Sequence, residues 1–86
     1  MRYEINPRIA YRKIDGRMVI VNPQNDEMMT LNETGSLIFE RIGTMSVDAI
    51  VNELRNLFEV EAFQAQQEVD AFIRTMVDEG LVVPCP

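Results

Sequence analysis

The chain has 86 residues, 47% of them hydrophobic, and its 14 acidic and 8 basic side chains give a formal net charge of −6. This length leaves room for one hydrophobic core, so a single domain over residues 1–86 is predicted. The negative charge repels polyphosphate and argues against nucleic acid as a partner. The absence of histidine removes the commonest general base and metal ligand.

The amino-terminal residues and the cysteine content indicate the compartment. Arg2, Glu4 and Arg8 interrupt the stretch where a secretory signal would be apolar. No apolar run approaches the ~18 residues that a membrane span requires. Cys85 is the single cysteine, so no intrachain disulfide can form. We therefore expect a cytoplasmic protein that does not contact a membrane.

The first third of the chain predicts a three-stranded antiparallel meander. Predicted strands over Ile9–Ile14 and Arg17–Asn22 flank Asp15-Gly16, a pair that favours a type I′ hairpin turn. A turn cluster, Pro23 to Asp26, separates them from a third strand, Glu27–Leu31. Consecutive apolar residues place the second strand in the centre, with cover expected on both faces. The third strand is then an edge strand without proline, open to pairing with another chain.

Beyond Leu31 the apolar residues recur at helical spacing, which predicts three helices. The first begins at the N-cap Asn32 and stops at Gly43, the second begins at the N-cap Ser46 and runs to Phe58, and the third runs from about Glu61 to Glu79 and stops at Gly80. Gly35 inside the first helix costs about 1 kcal/mol relative to alanine, so tight packing of that helix on the sheet is expected.

The third helix and the residues after it complete the pattern. Including Phe63, the apolar stripe of this helix covers roughly half of its circumference and leaves a flank for a partner. Leu81–Val83 are predicted to form a short apolar tail that ends at Pro84 and Pro86. The predicted order is three strands followed by three helices.

No arrangement of residues predicts catalysis, a metal site or a cofactor. Cys85 lies in a Pro-Cys-Pro ending with no base beside it. The acidic turn residues lack the spacing of a calcium loop, and the four isolated glycines form no phosphate loop. A protein that binds a partner without catalysing a reaction is therefore expected.

The pentapeptide Leu31-Asn32-Glu33-Thr34-Gly35, which leads from the third strand into the first helix, resembles the PqqD-like family of pyrroloquinoline quinone (PQQ) biosynthesis. Further motifs agree in order over about residues 7–83. They are Pro7, Asp15-Gly16-Arg17, Val19-Ile20, Pro23, Ser46-Val47, Ile50-Val51, Leu54, Val69, Phe72-Ile73 and Gly80-Leu81-Val82.

This resemblance implies a winged-helix-like α+β domain that acts as a recognition element, or peptide chaperone, for a ribosomally made precursor peptide. Such a domain binds the leader segment and presents it to a modifying enzyme, in the quinone pathway a radical S-adenosylmethionine (SAM) enzyme. Two departures, Gly43-Thr44-Met45 and the Pro-Cys-Pro ending, leave open whether the product is PQQ or another peptide-derived compound.

The resemblance also implies the binding mode, which is addition of the leader as an extra strand along the third strand. The implied site residues are Glu27, Met28, Met29, Thr30 and Leu31 on the strand, and Val69, Asp70, Ile73, Arg74 and Val77 on the third helix. Alternation lets only one of the two methionines face the helix, and both equally suit a core. Asp70 and Arg74 equally suit a solvated i,i+4 pair, and the flank of the helix that faces the groove is left open.

Two other readings remain at this point. Three helices with a small sheet also describe a winged-helix DNA-binding or transcription-associated module, although the third helix carries few basic residues. A subunit that docks constitutively on an enzyme is the other. The open strand edge is compatible with a monomer or a weak homodimer.

Overall fold

A computed structural model describes residues 2–22 and 26–85. The predicted turn residues Pro23, Gln24 and Asn25 and the predicted end at Pro86 lie outside the described residues. The elements in chain order are β1 (Tyr3–Ile5), β2 (Ala10–Ile14), β3 (Arg17–Asn22), β4 (Glu27–Thr30), α1 (Glu33–Arg41), α2 (Val47–Phe58), α3 (Ala62–Asp78) and β5 (Val82–Pro84). The predicted α+β class is confirmed.

Strands β2, β3 and β4 form the predicted antiparallel meander, with β3 in the centre. Asp15 and Gly16 have φ angles of 51° and 80°, the two positive values that a type I′ turn requires. Of the consecutive apolar residues in β3, Met18 and Ile20 are buried, whereas Val19 is half-buried. The expected cover on both faces is therefore met in part, because the face with Met18 and Ile20 is buried and the face with Val19 and Val21 is half-buried.

A second, two-stranded sheet joins the two ends of the chain. β1 and β5 pair antiparallel, with Tyr3 opposite Pro84 and Ile5 opposite Val82. The Asn6 amide extends this ladder by donating to the Leu81 carbonyl oxygen at 3.0 Å. The predicted order of three strands and three helices is thus incomplete, since the predicted tail over residues 81–83 is largely a strand.

The predicted N-caps are confirmed. The Asn32 side chain accepts a hydrogen bond from the Gly35 amide at 2.8 Å, and Ser46 accepts one from the Ala49 amide at 3.2 Å. Each cap satisfies one of the amides that the first turn of a helix leaves without a partner. The two caps therefore fix where α1 and α2 begin.

The carboxyl ends of the helices differ from one another. At the end of α3 Gly80 has φ of 74°, its amide donates to the Val77 carbonyl and the Leu81 amide donates to the Met76 carbonyl. This is a Schellman motif, and it confirms Gly80 as the stop. Gly43 does not act in this way, because α1 already ends at Arg41 with a right-handed C-cap at Ile42.

The core lies between the inner face of the three-stranded sheet and the helices. Its largest fully buried side chains are Phe39, Ile20, Ile38, Ile42, Ile50, Leu54, Met76, Val69 and Val82. Phe63, which the sequence places on the apolar stripe of the third helix, is 72% exposed, and Leu57 of α2 is 59% exposed. Within the described residues, no helix is both long and apolar enough to cross a membrane.

Candidate functional site

The outer edge of β4 carries unpaired backbone groups. The Leu31 amide donates to the Met18 carbonyl at 2.9 Å, so Leu31 points its backbone groups towards β3. Because antiparallel strands alternate, the backbone groups of Met29 also point inward, whereas those of Met28 and Thr30 point away from the sheet. In the described sheet, whose order is β2-β3-β4, no strand pairs with this edge.

The carboxyl end of β4 is held by a buried hydroxyl group. Ser36, 2% exposed, accepts a hydrogen bond from the Met18 amide at 2.8 Å and donates to the Leu31 carbonyl at 3.4 Å. Arg17 Nε donates to the same carbonyl at 3.1 Å. The Ser36 hydroxyl thus bridges the Met18 amide and the Leu31 carbonyl, which would bind each other directly in a regular antiparallel ladder. The carboxyl end of β4 is consequently fixed to α1 through this serine.

A groove separates β4 from α3, and we call it the β4–α3 groove. No Cα atom of β4 lies within 8 Å of a Cα atom of α3, and the space between them has a volume of about 570 Å³. Its lining includes Met29 and Leu31 on one side and Ala71, Phe72 and Thr75 of α3 on the other. An open strand edge therefore lies directly beside a largely apolar groove.

Gly35 forms part of this lining and contacts α3. A Cβ atom on Gly35 would lie 3.0 Å from Phe72 Cε1 and 3.5 Å from Leu31 Cβ. Close packing at this glycine was predicted, but its nearest neighbour is an aromatic ring of α3 and not the body of the sheet. The glycine therefore lets the Phe72 ring lie against α1.

The strand residues of the predicted site lie at the open edge, on two faces. Met29 packs against the core and lines the β4–α3 groove, whereas Met28 is 72% exposed. This confirms that only one of the two methionines faces the helix. At the amino-terminal end of β4, a smaller hollow of about 140 Å³ contains Glu27 and Glu79.

The helix residues of the predicted site do not lie in this groove. Val69 and Ile73 are buried, at 0% and 5% exposure. Asp70, Arg74 and Val77, with Ile73, line a different hollow of about 500 Å³ that also contains Tyr3 and Pro84 of the β1–β5 ribbon. Asp70 accepts a hydrogen bond from the Gln66 side chain at 2.9 Å. The structure therefore does not bring the strand half and the helix half of the set together.

Helical geometry explains this separation. Residues advance by 100° per position, so the buried Val69 points to the core while positions 70, 74 and 77 lie on one flank and positions 68, 72 and 75 on the other. The groove-facing residues Ala71, Phe72 and Thr75 were missing from the predicted site. Two features of the sequence could have identified this flank, namely the glycine inside α1 and the aromatic residue in the middle of α3.

The charged residues that line the β4–α3 groove and the smaller hollow are acidic. Glu68 lines the β4–α3 groove, and Glu27 and Glu79 line the smaller hollow. Neither lining contains a lysine or an arginine. Over residues 2–22 and 26–85, no cluster of three or more His, Cys, Asp or Glu side chains is arranged to hold a metal ion.

Comparison with known families decides the relationship. The family model PqqD, described as coenzyme PQQ synthesis protein D, matches residues 17–82. The chain belongs to the PqqD family. The resemblance inferred from the pentapeptide and its accompanying motifs is thereby confirmed.

Two solved structures are similar to this PqqD-family chain. A lasso peptide synthetase B1 complexed with the leader peptide has a TM-score of 0.88 and 25% sequence identity, and the match covers 98% of this chain and 100% of that one. TbiB1 in complex with the TbiA(beta) leader peptide also has a TM-score of 0.88, with 18% identity and coverage of 96% and 98%. No curated protein sequence gives a significant match.

Proposed function

We propose that this PqqD-family chain is a non-catalytic adaptor that binds the leader segment of a ribosomally made precursor peptide and presents it to a modifying enzyme. The observation that carries the proposal is the open outer edge of β4 beside the β4–α3 groove. Membership of the PqqD family and the similarity to a synthetase B1 complexed with a leader peptide support it.

The backbone of β4 supplies affinity that depends little on sequence. The amides and carbonyls of Met28 and Thr30 point outward, and an extended peptide lying along the edge would pair with them. Since β4 is anchored through Ser36 and Leu31 before binding, little ordering of the protein is required.

The side chains of the groove supply selectivity. Alternate residues of an added strand share the face of Met29 and Leu31 and therefore point into the β4–α3 groove, opposite Phe72 and Thr75. In this proposal Val69 and Ile73 support α3 from the core, while Asp70, Arg74 and Val77 lie on the far flank. We therefore assign the helix side of the site to Ala71, Phe72 and Thr75.

The partner enzyme and the assembly state belong to the same proposal. The PqqD family favours a radical SAM enzyme of PQQ biosynthesis, and the similarity to a synthetase B1 favours an enzyme of another peptide-modification pathway. The open edge also allows a second copy to pair, so we expect a monomer or a weak homodimer that leader peptide dissociates. A winged-helix-like domain in the cytoplasm, where precursor peptides are made, fits this role.

Amide hydrogen exchange tests the proposed binding mode. The probe is the tightest peptide selected on the immobilised wild-type chain from a display library of random short peptides. Strand addition predicts slowed exchange at the amides of Met28 and Thr30 when this peptide binds, because both gain acceptors. The Met29 amide, which faces β3, should change much less. Binding that leaves Met28 and Thr30 unprotected would overturn the strand-addition mode.

A pair of proline variants gives an independent check. Thr30→Pro removes an outward amide and should weaken the same peptide by at least about tenfold, since proline cannot donate to an added strand. Lys13→Pro places a proline on the outer edge of β2, where only an exposed ion pair with Glu40 is lost. We expect unchanged binding for that control. Equal losses in both variants would indicate a general effect on the sheet.

A further inference from the structure

We infer that Gly35 and Phe72 together form a size filter in the β4–α3 groove, which sets how large a leader side chain the groove accepts at one position. The inference rests on the proposed function, because it concerns the groove in which the leader would lie. It assigns a specificity-determining role to Gly35, a residue of α1 that is not part of the edge strand β4.

The contact between the two residues is close. The Phe72 ring edge lies 3.0 Å from the point where a Cβ atom of residue 35 would sit, which is shorter than ordinary van der Waals contact between carbon atoms. The ring therefore rests on the bare backbone of α1. Any side chain at position 35 would displace the ring, because the backbone of a helix is the more rigid partner.

The contact also lies at a defined place along β4. Leu31 Cβ is 3.5 Å from the same point, so the Gly35–Phe72 pair adjoins the carboxyl end of the strand. On an added strand, residues that face the groove are separated by one residue that faces away. A single leader residue, the one nearest Leu31, would therefore meet the filter, and its groove-facing neighbour would meet Met29 and Thr75.

The chemistry of this position is apolar. Ile38 and Leu31 are buried, the Phe72 ring is half-buried and Gly35 offers only backbone. A large apolar leader side chain gains most from this surface, since each buried methylene contributes about 0.8 kcal/mol. Adding a Cβ atom to Gly35 both occupies the floor and moves the ring, so it should disfavour the largest side chains first.

Parallel peptide selections test the filter. The same display library is applied to the wild type, to Gly35→Ala, and to Gly35→Ala combined with Phe72→Leu. We expect Gly35→Ala to enrich smaller apolar residues at one peptide position and to bind the wild-type-selected peptide about tenfold more weakly. The double variant lacks the ring that collides with the new methyl group. It should recover the preference for a large residue at that position, while the loss of the Phe72 ring still removes an apolar contact with the peptide.

The outcomes separate the filter from the proposed function. If the wild type selects no peptide, or selects peptides that do not protect Met28 and Thr30, the proposed function itself fails. If peptides are selected with that protection but Gly35→Ala enriches the same residues as the wild type, only the filter is wrong. Urea denaturation of all three proteins accompanies the selections and shows whether each variant is folded.

The double variant also controls for the N-cap. A Cβ atom on Gly35 would lie 3.2 Å from Asn32 Oδ1, the acceptor that caps α1. Gly35→Ala with Phe72→Leu keeps that contact and removes the ring with which the new methyl group collides. Persistent enrichment of small residues at that peptide position by the folded double variant would assign the effect to the cap and overturn the filter.

Discussion

At the scale of single residues, two glutamates that end helices differ in backbone conformation. Glu59, the C-cap of α2, has φ of 53° in the left-handed region, whereas Glu79, the C-cap of α3, has φ of −81°. The left-handed conformation costs a residue with a Cβ atom about 1–2 kcal/mol, and glycine avoids this cost.

We therefore predict that Glu59→Gly raises the free energy of unfolding by about 1 kcal/mol. Glu79→Gly is the matched control, and there the added chain freedom should lower the free energy of unfolding by about 0.5–1 kcal/mol. Urea titrations followed by circular dichroism measure both. Stabilisation by both glycines, or by neither, would contradict a conformational origin.

The residues whose roles could be predicted are those whose conformation depends on nearby residues in the sequence. The Asn32 and Ser46 caps, the Asp15-Gly16 turn and the Gly80 stop depend on neighbours within a few residues, and the sequence alone identifies them. Phe39 is fully buried but was not assigned to the core. Its neighbour is the Tyr11 ring of β2, 5.2 Å away between ring centroids, and this contact exists only after α1 has packed on the sheet.

At the scale of elements, α3 presents different surfaces on its two flanks. One flank faces β4 across the β4–α3 groove and includes Thr75, and the other faces the β1–β5 ribbon and includes Arg74. Both side chains are exposed and they are adjacent in sequence. Comparing the same bulky substitution at these two positions therefore tests which flank of α3 binds the leader.

We predict that Thr75→Tyr lowers the affinity for the wild-type-selected peptide by at least about tenfold, because the tyrosine ring enters the groove. Arg74→Tyr should change the affinity by less than about twofold, as expected for a surface position away from the site. Isothermal titration calorimetry measures both. The opposite result would favour the flank with Asp70, Arg74 and Val77, which the sequence interpretation had selected.

The flank of α3 that faces the β4–α3 groove and the β1–β5 sheet could not be predicted from the sequence, for the same reason. A stripe of apolar residues shows that α3 packs on a core, but both flanks border that stripe equally. Likewise, β1 and β5 are three-residue strands at opposite ends of the chain, too short for a detectable alternation. Both features depend on how distant elements pack. The meander was predictable because its turns are short and its strands adjacent.

At the scale of the whole molecule, the net charge of −6 bears on which partners bind. The exposed acidic residues of α3 include Glu68, Asp70 and Asp78, against the single basic residue Arg74. A helix of this kind does not attract the phosphate backbone, which supplies most of the affinity of DNA-binding domains. This distribution favours a peptide over DNA, the partner in the alternative interpretation.

The negative charge of the protein also predicts which peptides bind more tightly. Glu68 lines the β4–α3 groove without a basic neighbour in the lining, so a lysine at a groove-facing peptide position should bind more tightly than a glutamate there. Exposed charge pairs contribute about 0.2–1 kcal/mol each, which corresponds to a difference of a few-fold in affinity. Fluorescence anisotropy of the two labelled peptides measures the difference, and Glu68→Gln should reduce it.

Salt separates this electrostatic contribution from packing. Raising the ionic strength from about 0.05 M to about 0.5 M shortens the Debye length to a few ångströms, so the lysine and glutamate peptides should converge in affinity. A third version of the peptide, with an uncharged residue at that position, serves as the control. Its affinity, which depends on strand pairing and apolar contact with Phe72, should change little. A difference between the charged peptides that persists at high salt in both the wild type and Glu68→Gln would mean that side-chain shape, and not the negative field of the groove, determines the preference.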